Sequence, residues 1–336
     1  GVFVAELSDL AGLEAGLTIG SLAQALAAGD ALVATHLGKV VATDDVAVAL
    51  NSAFMGDGAV IRVGAGVALA RPIQLVFYNS GTQPASVFTR SIIVVEKGAR
   101  AMLVESHEGA LHCDDQVNTV LELVIGDDAH VDHIKLTGVG SGALHVASLM
   151  ASIGAHARFN EFLFTSGAAT VRNQLFVRFG GEGIVAAIRG ASLLRGRQHA
   201  DTTVVADHVA GACTSRELFK SVLDDESRSV FQGRITVRAE AQRTDAKLAT
   251  HALLLSDNAE ADSKPELEIY ADDVQCGHGA TTGALDDDLL FYFKARGIST
   301  KEAEALLIAA FVGEAVEGIE HAGLRDALME HVGAWL

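Results

Sequence analysis

The sequence predicts a mainly β protein, a solenoid of stacked short strands with helical segments at both ends, and three observations carry that prediction. From about residue 60 to residue 282, apolar or alternating runs of four to six residues recur, at 92–95, 121–124, 131–136 and 175–179, the pattern of half- or fully buried strands. Glycine-centred turns at Gly64, Gly98, Gly126, Gly154 and Gly180 are spaced by 34, 28, 28 and 26 residues. A quasi-period of that size suits coils that bury their apolar sides only against one another. The whole chain has only three prolines, and this region offers few amphipathic stretches of helical length. On pattern alone a β-sandwich remains the competing architecture.

In chain order, residues 1–55 read as a partly helical N-terminal region, with an Ala/Leu-rich segment at 21–28. Because the chain opens on Gly1, this region is expected to be a truncated remnant. Residues 56–283 form the β core. Residues 284–336 read as a C-terminal helical subdomain. Asp286, Asp287 and Asp288 supply an acidic helix start favoured by the macrodipole, and Gly297 suits a C-terminal cap. Ser299 and Glu302 make a capping box that opens a helix over 303–319, with Leu306, Ala310 and Phe311 as its expected apolar stripe. A third amphipathic segment covers 324–335. Such stripes either cover the β core, whose strand edges need protection, or dock a partner.

Composition narrows the function classes. The 336 residues are 49% hydrophobic and 20% charged, a globular balance. The longest fully apolar run, 305–312, is too short to span a bilayer, and no secretory signal is visible. Three dispersed cysteines, Cys113, Cys213 and Cys276, make no disulfide framework and fit a reducing cytoplasm. A net charge of −18 argues against nucleic acid or an anionic membrane as partner. The chain lacks a phosphate-binding P-loop and a Gly-x-Ser-x-Gly nucleophile elbow, so it carries neither of these catalytic signatures.

The residues with the most chemical promise are Cys276 and His278. They sit two apart in the glycine-flanked segment 275–279 that follows an apolar-alternating run. In an extended chain such residues share a face, so a thiolate and an imidazole could address one metal from one side. They equally suit a small buried thiol and a core histidine. Two donors also fall short of the four that a closed zinc or Fe–S site needs. Other groupings are His208 and Cys213 with Asp207 and Ser215; His199 with Asp201; Asp127, Asp128, His130 and His133; and His107, His112 and Cys113 with Glu108, Asp114 and Asp115. Each reads first as structural or as a solvated turn, with mixed-donor metal binding as the sharper alternative.

Several motifs in order resemble the SufB/SufD family, scaffold subunits of the Suf iron–sulfur cluster assembly machinery. These are Ala241-Gln-Arg-Thr-Asp-Ala, Leu253-Leu-Leu-Ser-Asp, Lys264-Pro-Glu-Leu-Glu-Ile, Asp272-Asp-Val-Gln-Cys-Gly-His-Gly-Ala-Thr and Leu290-Phe-Tyr-Phe-Lys-Ala-Arg-Gly-Ile. Cys276-Gly277-His278, where SufB-type subunits typically carry Glu-His-Glu, and Leu255-Ser256, near a SufB-type cysteine, place the resemblance on the SufD side. It implies a right-handed parallel β-helix and a non-enzymatic role. His278, with Cys276 beside it, would be a candidate ligand for iron or a transient Fe–S cluster shared with a SufB-like subunit. A SufC-like ABC ATPase would bind the C-terminal helices, and a homodimer is implied for the isolated chain. Against it stands a β-helix enzyme acting on acidic polysaccharide through carboxylates such as Asp272 and Asp273; low aromatic content, 5%, argues against that reading.

Overall fold

A computed structural model describes residues 2–80, 83–109 and 114–336. Its strands are β1 Leu17–Ser21, β2 Ala59–Val63, β3 Ile73–Asn79, β4 Ser86–Val95, β5 Arg100–Gly109, β6 Gln116–Ile125, β7 His130–Thr137, β8 Leu144–Ile153 and β9 Arg158–Thr165. They continue as β10 Thr170–Phe179, β11 Val185–Leu194, β12 His199–His208, β13 Thr214–Leu223, β14 Arg228–Val237, β15 Asp245–Leu254, β16 Glu260–Ile269 and β17 Gln275–Gly283. After β1, even-numbered strands form one sheet ending in β16, and odd-numbered strands form the other, from β3 to β17. Every pairing except β1 with β2 is parallel. Consecutive strands thus alternate between sheets, and each pair with its turns is one coil of a parallel β-helix. A sandwich is excluded, because its sheets are built from antiparallel pairs.

The turns explain the period seen in the sequence. Left-handed backbone recurs at Gly98, Asp128, His156, Gly183, Ala212 and Arg243, each at the same corner of successive coils. The Gly98 N–H donates to Asp127 O, that of Asp128 to Ala155 O, and that of His156 to Glu182 O, each at 2.8 Å. Stacked corners thereby satisfy one another's backbone. Asp127 adds a side-chain acceptor for the Ala155 N–H at 2.8 Å, so Asp127 and Asp128 are corner residues.

Inside the tube, Ile61, Ile93, Leu123, Val131, Phe159, Val177, Phe179, Ile188, Val204 and Ile235 form one buried stack. A fully buried side chain of this kind contributes about 1.5–3 kcal/mol relative to exposure. Helices α1 Leu22–Ala28, α2 Ala31–His36 and α3 Val46–Phe54 cover the outside of the first sheet. There Leu22 and Val33 meet Ile92 and Val94, and Val48 meets Val120 and Met150. Asn51 is fully buried, and its amide donates to Thr89 O and Asn118 O.

Helices α4 Asp287–Lys294, α5 Thr300–Val316 and α6 Ala322–Trp335 end the chain. Asp286 caps α4, and the Ser299–Glu302 capping box is present. Ile308, Val312, Ala315, Leu328 and Val332 bury against Ile134, Phe162, Leu193 and Val222 on the outside of the second sheet. Of the stripe expected on α5, Phe311 packs against this cluster, whereas Leu306 is half exposed and Ala310 exposed. The helix is apolar on most of its circumference, so composition leaves its orientation open, and docking on the sheet selects Ala303, Ile308, Val312 and Ala315. No described helix is long and apolar enough to cross a membrane.

Candidate functional site

The solenoid ends at β16 and β17, the last strands of their sheets. Each is paired on one side only, and the two edges differ. On β16, Glu260, Asp262, Lys264, Glu266 and Glu268 alternate with other residues and Pro265 removes a donor, the usual protection against edge-to-edge pairing. Strand β17 carries Gln-Cys-Gly-His-Gly-Ala-Thr-Thr-Gly, with no carboxylate, lysine or arginine. No heavy atom stands within 4 Å of the space beside Gly279 or Gly283. This edge offers backbone groups beside small side chains, open to another polypeptide.

Cys276 and His278 lie on that strand. In register, Cys276 pairs with Ala246 and His278 with Leu248, both buried core residues. The pair therefore belongs to the inward-facing row, as i, i+2 spacing dictates. Because no coil follows, the row ends in solvent: Cys276 is half-buried against the core stack and His278 is exposed. Burial pushes the Cys276 thiol up from its ordinary value, opposed by the Ala246 backbone and by Lys247. It is a thiol at neutral pH unless a metal takes the proton's place. Among the described residues, the only trio of His, Cys, Asp or Glu donors close enough to share an ion is His130, Asp132 and Glu320, elsewhere. Cys276 and His278 offer a soft donor and an imidazole, donor types that suit iron or zinc, from one row of one strand.

The other sequence candidates resolve differently. His208 ends β12 and Cys213 lies in the turn before β13, and both are buried. The His208 ring stacks on Phe179 at 3.9 Å and lies 3.3 Å from the Ser215 hydroxyl. Asp207 points outward and takes both Arg238 hydrogen bonds. Asp201 pairs with Arg172 at 2.5 Å, in place of the expected His199. Asp272 and Asp273 are exposed in the turn before β17. His107 is buried, stacked on Phe77 at 4.7 Å, while Glu108 and Asp114 are exposed and Asp115 accepts from the Ala85 N–H. His112 and Cys113 lie outside the described residues.

The group 127–133 splits across the sheet: His130 faces outward, and His133 faces into the tube. There the structure adds charges that the sequence analysis did not single out. His133 Nδ1 lies 2.8 Å from Glu161, and its Nε2 lies 3.3 Å from Glu105. The nearby Lys135 ammonium donates to Thr137 and Asn173. Although burial opposes it, the two carboxylates push the His133 imidazole up to about 10, while burial draws Lys135 down to about 8. Two coils from the open end, Glu217 is buried in the row that finishes at His278, by way of Leu248. Burial pushes its carboxyl up to about 8, with Ser215 opposing. Charged residues at positions in phase with the inward apolar alternation are the signal that could have found them.

The description "SUF system FeS cluster assembly, SufBD core domain" matches residues 77–311, and the "SufBD protein N-terminal region" matches residues 1–75. An iron–sulfur cluster assembly SufBD family protein of Synechocystis is 33% identical over 99% of this chain and 75% of its own length. The iron–sulfur cluster assembly protein SufD of Escherichia coli is 32% identical over 81% of this chain and 65% of its own length. That of Bacillus subtilis is 27% identical over 84% of this chain and 64% of its own length. The chain thus spans just under two thirds of the SufD relatives it matches.

Proposed function

Because the chain belongs to the SufB/SufD family of the SUF iron–sulfur cluster assembly system, we propose that it works as a SufD-type scaffold, without catalysis of its own, whose open β-helix end helps to build a cluster at a seam with a SufB-like subunit. One observation carries this reading: an exposed imidazole, His278, on an uncharged, half-paired edge strand beside the half-buried Cys276. A partner strand along β17 would satisfy its free backbone groups and bring further donors to the incomplete shell. Iron or the nascent cluster is then cargo held between chains, with His278 as the primary ligand here and Cys276 as its neighbour. The same edge would accept a second copy of this chain when no SufB-like subunit is present.

The C-terminal helices are the proposed seat of a SufC-like ABC ATPase, which would supply the ATP hydrolysis. Phe291 of α4 is 73% exposed, with Tyr292 and Leu306 also open, an apolar face that a partner can cover. Transfer of the finished cluster to acceptor proteins and a cytoplasmic setting complete the proposal. The test is anaerobic reconstitution of the chain with SufB-like and SufC-like subunits, counting iron and acid-labile sulfide. His278→Ala is expected to assemble the complex normally while cluster content falls to background, and Cys276→Ser to give a smaller loss. Full cluster content in the His278→Ala complex would remove the role assigned to the imidazole.

A further inference from the structure

On the outside of the second sheet, far along the tube from β17, strand β7 presents His130 and Asp132 on one face. The link between α5 and α6 passes directly over them. It runs so close to the sheet that a methyl group at Gly318 would overlap the Arg189 guanidinium, and it delivers Glu320 to the same spot. One donor atom from each of His130, Asp132 and Glu320 lies within 4.8 Å of the others. His130 Nε2 stands 3.7 Å from Asp132 Oδ1, too far for a hydrogen bond. That nitrogen is shielded from solvent and has no hydrogen-bond partner, an uncommon state for a buried polar atom.

We propose that His130, Asp132 and Glu320 bind a first-row divalent cation that fastens the α5–α6 link to the β-helix. Protein donors lie about 2.0–2.2 Å from such an ion, which sets two donors on one ion about 3–4 Å apart. The His130–Asp132 separation already meets this, and the exposed Glu320 side chain has the freedom to close the rest. One imidazole with two carboxylates suits Zn(II), Mn(II) or Fe(II) better than Cu(I), which prefers sulfur, or Ca(II), which takes oxygen shells. The Asn160 amide donates to Asp132 Oδ1 at 2.7 Å, holding the carboxylate in place as metal ligands are usually held. An adjoining cavity lined by Met102, Asp132, Asn160, Arg189 and Glu320 leaves room for water as the remaining ligand.

The site is independent of the edge strand, and its test is arranged to stay so. The full chain carrying Cys276→Ser and His278→Ala, stripped with chelator, is titrated with Zn(II) by calorimetry, and amide exchange is followed with and without the metal. One ion per chain is expected, together with slower exchange over residues 317–321. Asn160→Ala should weaken binding roughly ten- to hundredfold. Glu320→Gln, an exposed change that leaves the fold intact, should weaken it at least as much, and His130→Gln should abolish it. Absence of Zn(II) binding, or binding unchanged in His130→Gln and Glu320→Gln, overturns the proposal.

Discussion

Glu122→Ala is expected to destabilise the protein by about 3–5 kcal/mol, the usual cost of removing one partner from a buried ion pair. Arg90 on β4 and Glu122 on β6 lie two register positions apart, Arg90 opposite Val120 and Glu122 opposite Ile92, and both side chains are almost wholly inaccessible to solvent. Arg90 Nε donates to Glu122 Oε1 at 2.7 Å, and a second guanidinium nitrogen reaches the same oxygen at 2.7 Å. The Gly38 N–H donates to both carboxylate oxygens at 2.9 Å. Arg90 also donates to the Ser52 hydroxyl of α3 at 2.9 Å. One ion pair therefore joins two strands to two separate parts of the N-terminal region. Truncating Glu122 leaves a guanidinium buried with a single hydroxyl for company and frees the Gly38 N–H.

Two measurements check this. Denaturant unfolding should show the loss, and native-state amide exchange should rise first over residues 31–54. The double variant Arg90→Met with Glu122→Leu should recover much of the stability, because matched apolar side chains leave no charge stranded. A Glu122→Ala cost below about 1 kcal/mol, the value of an exposed pair, would show that water reaches the guanidinium and that the pair does not hold the helices.

The second large effect is a pH dependence. Glu217 has no well-directed partner for either carboxylate oxygen, and burial raises its carboxyl from an ordinary 4.5 to about 8. Between those values the folded chain keeps a proton that the unfolded chain has lost, so stability falls as pH rises. The slope approaches about 1.4 kcal/mol per pH unit for one group, which bounds the loss from pH 5 to pH 8 at about 4 kcal/mol. Glu217→Gln keeps the shape without the titration. It should remove this part of the slope, leaving the variant more stable than the parent at pH 8 and nearly equal to it at pH 5. Parallel pH profiles for parent and variant would mean that the carboxylate is hydrated and charged within the tube. The position matters for the site, since Glu217 shares the inward row that ends at His278. A neutral acid there keeps a negative charge out of the wall beneath the proposed ligands.

Much of the architecture could be read from the chain because a solenoid is periodic. Each coil repeats the same corner, so the turn glycines and their spacing near 28 residues report the stacking directly. Helix starts were legible for a similar reason: Asp286 and Ser299 act on backbone N–H groups three residues away, within the reach of local sequence. The spacing of Cys276 and His278 likewise determined that they share a face, whatever the fold.

What the face looked onto was decided elsewhere. The exposure of His278 follows from β17 being the last strand of its sheet, a fact of strand order and not of local pattern. The same holds for His133 between Glu105 and Glu161, which come from three different coils, and for Glu320 reaching His130 from 190 residues away. Leu306 and Ala310, unlike Phe311, lie off the packed face of α5 for this reason too, since an Ala-rich helix leaves the choice to its neighbour. Local propensity and periodicity act over a few residues and are written in the chain itself. Burial, ion pairing and the completeness of a coordination shell depend on which coils become neighbours, and only tertiary packing settles that.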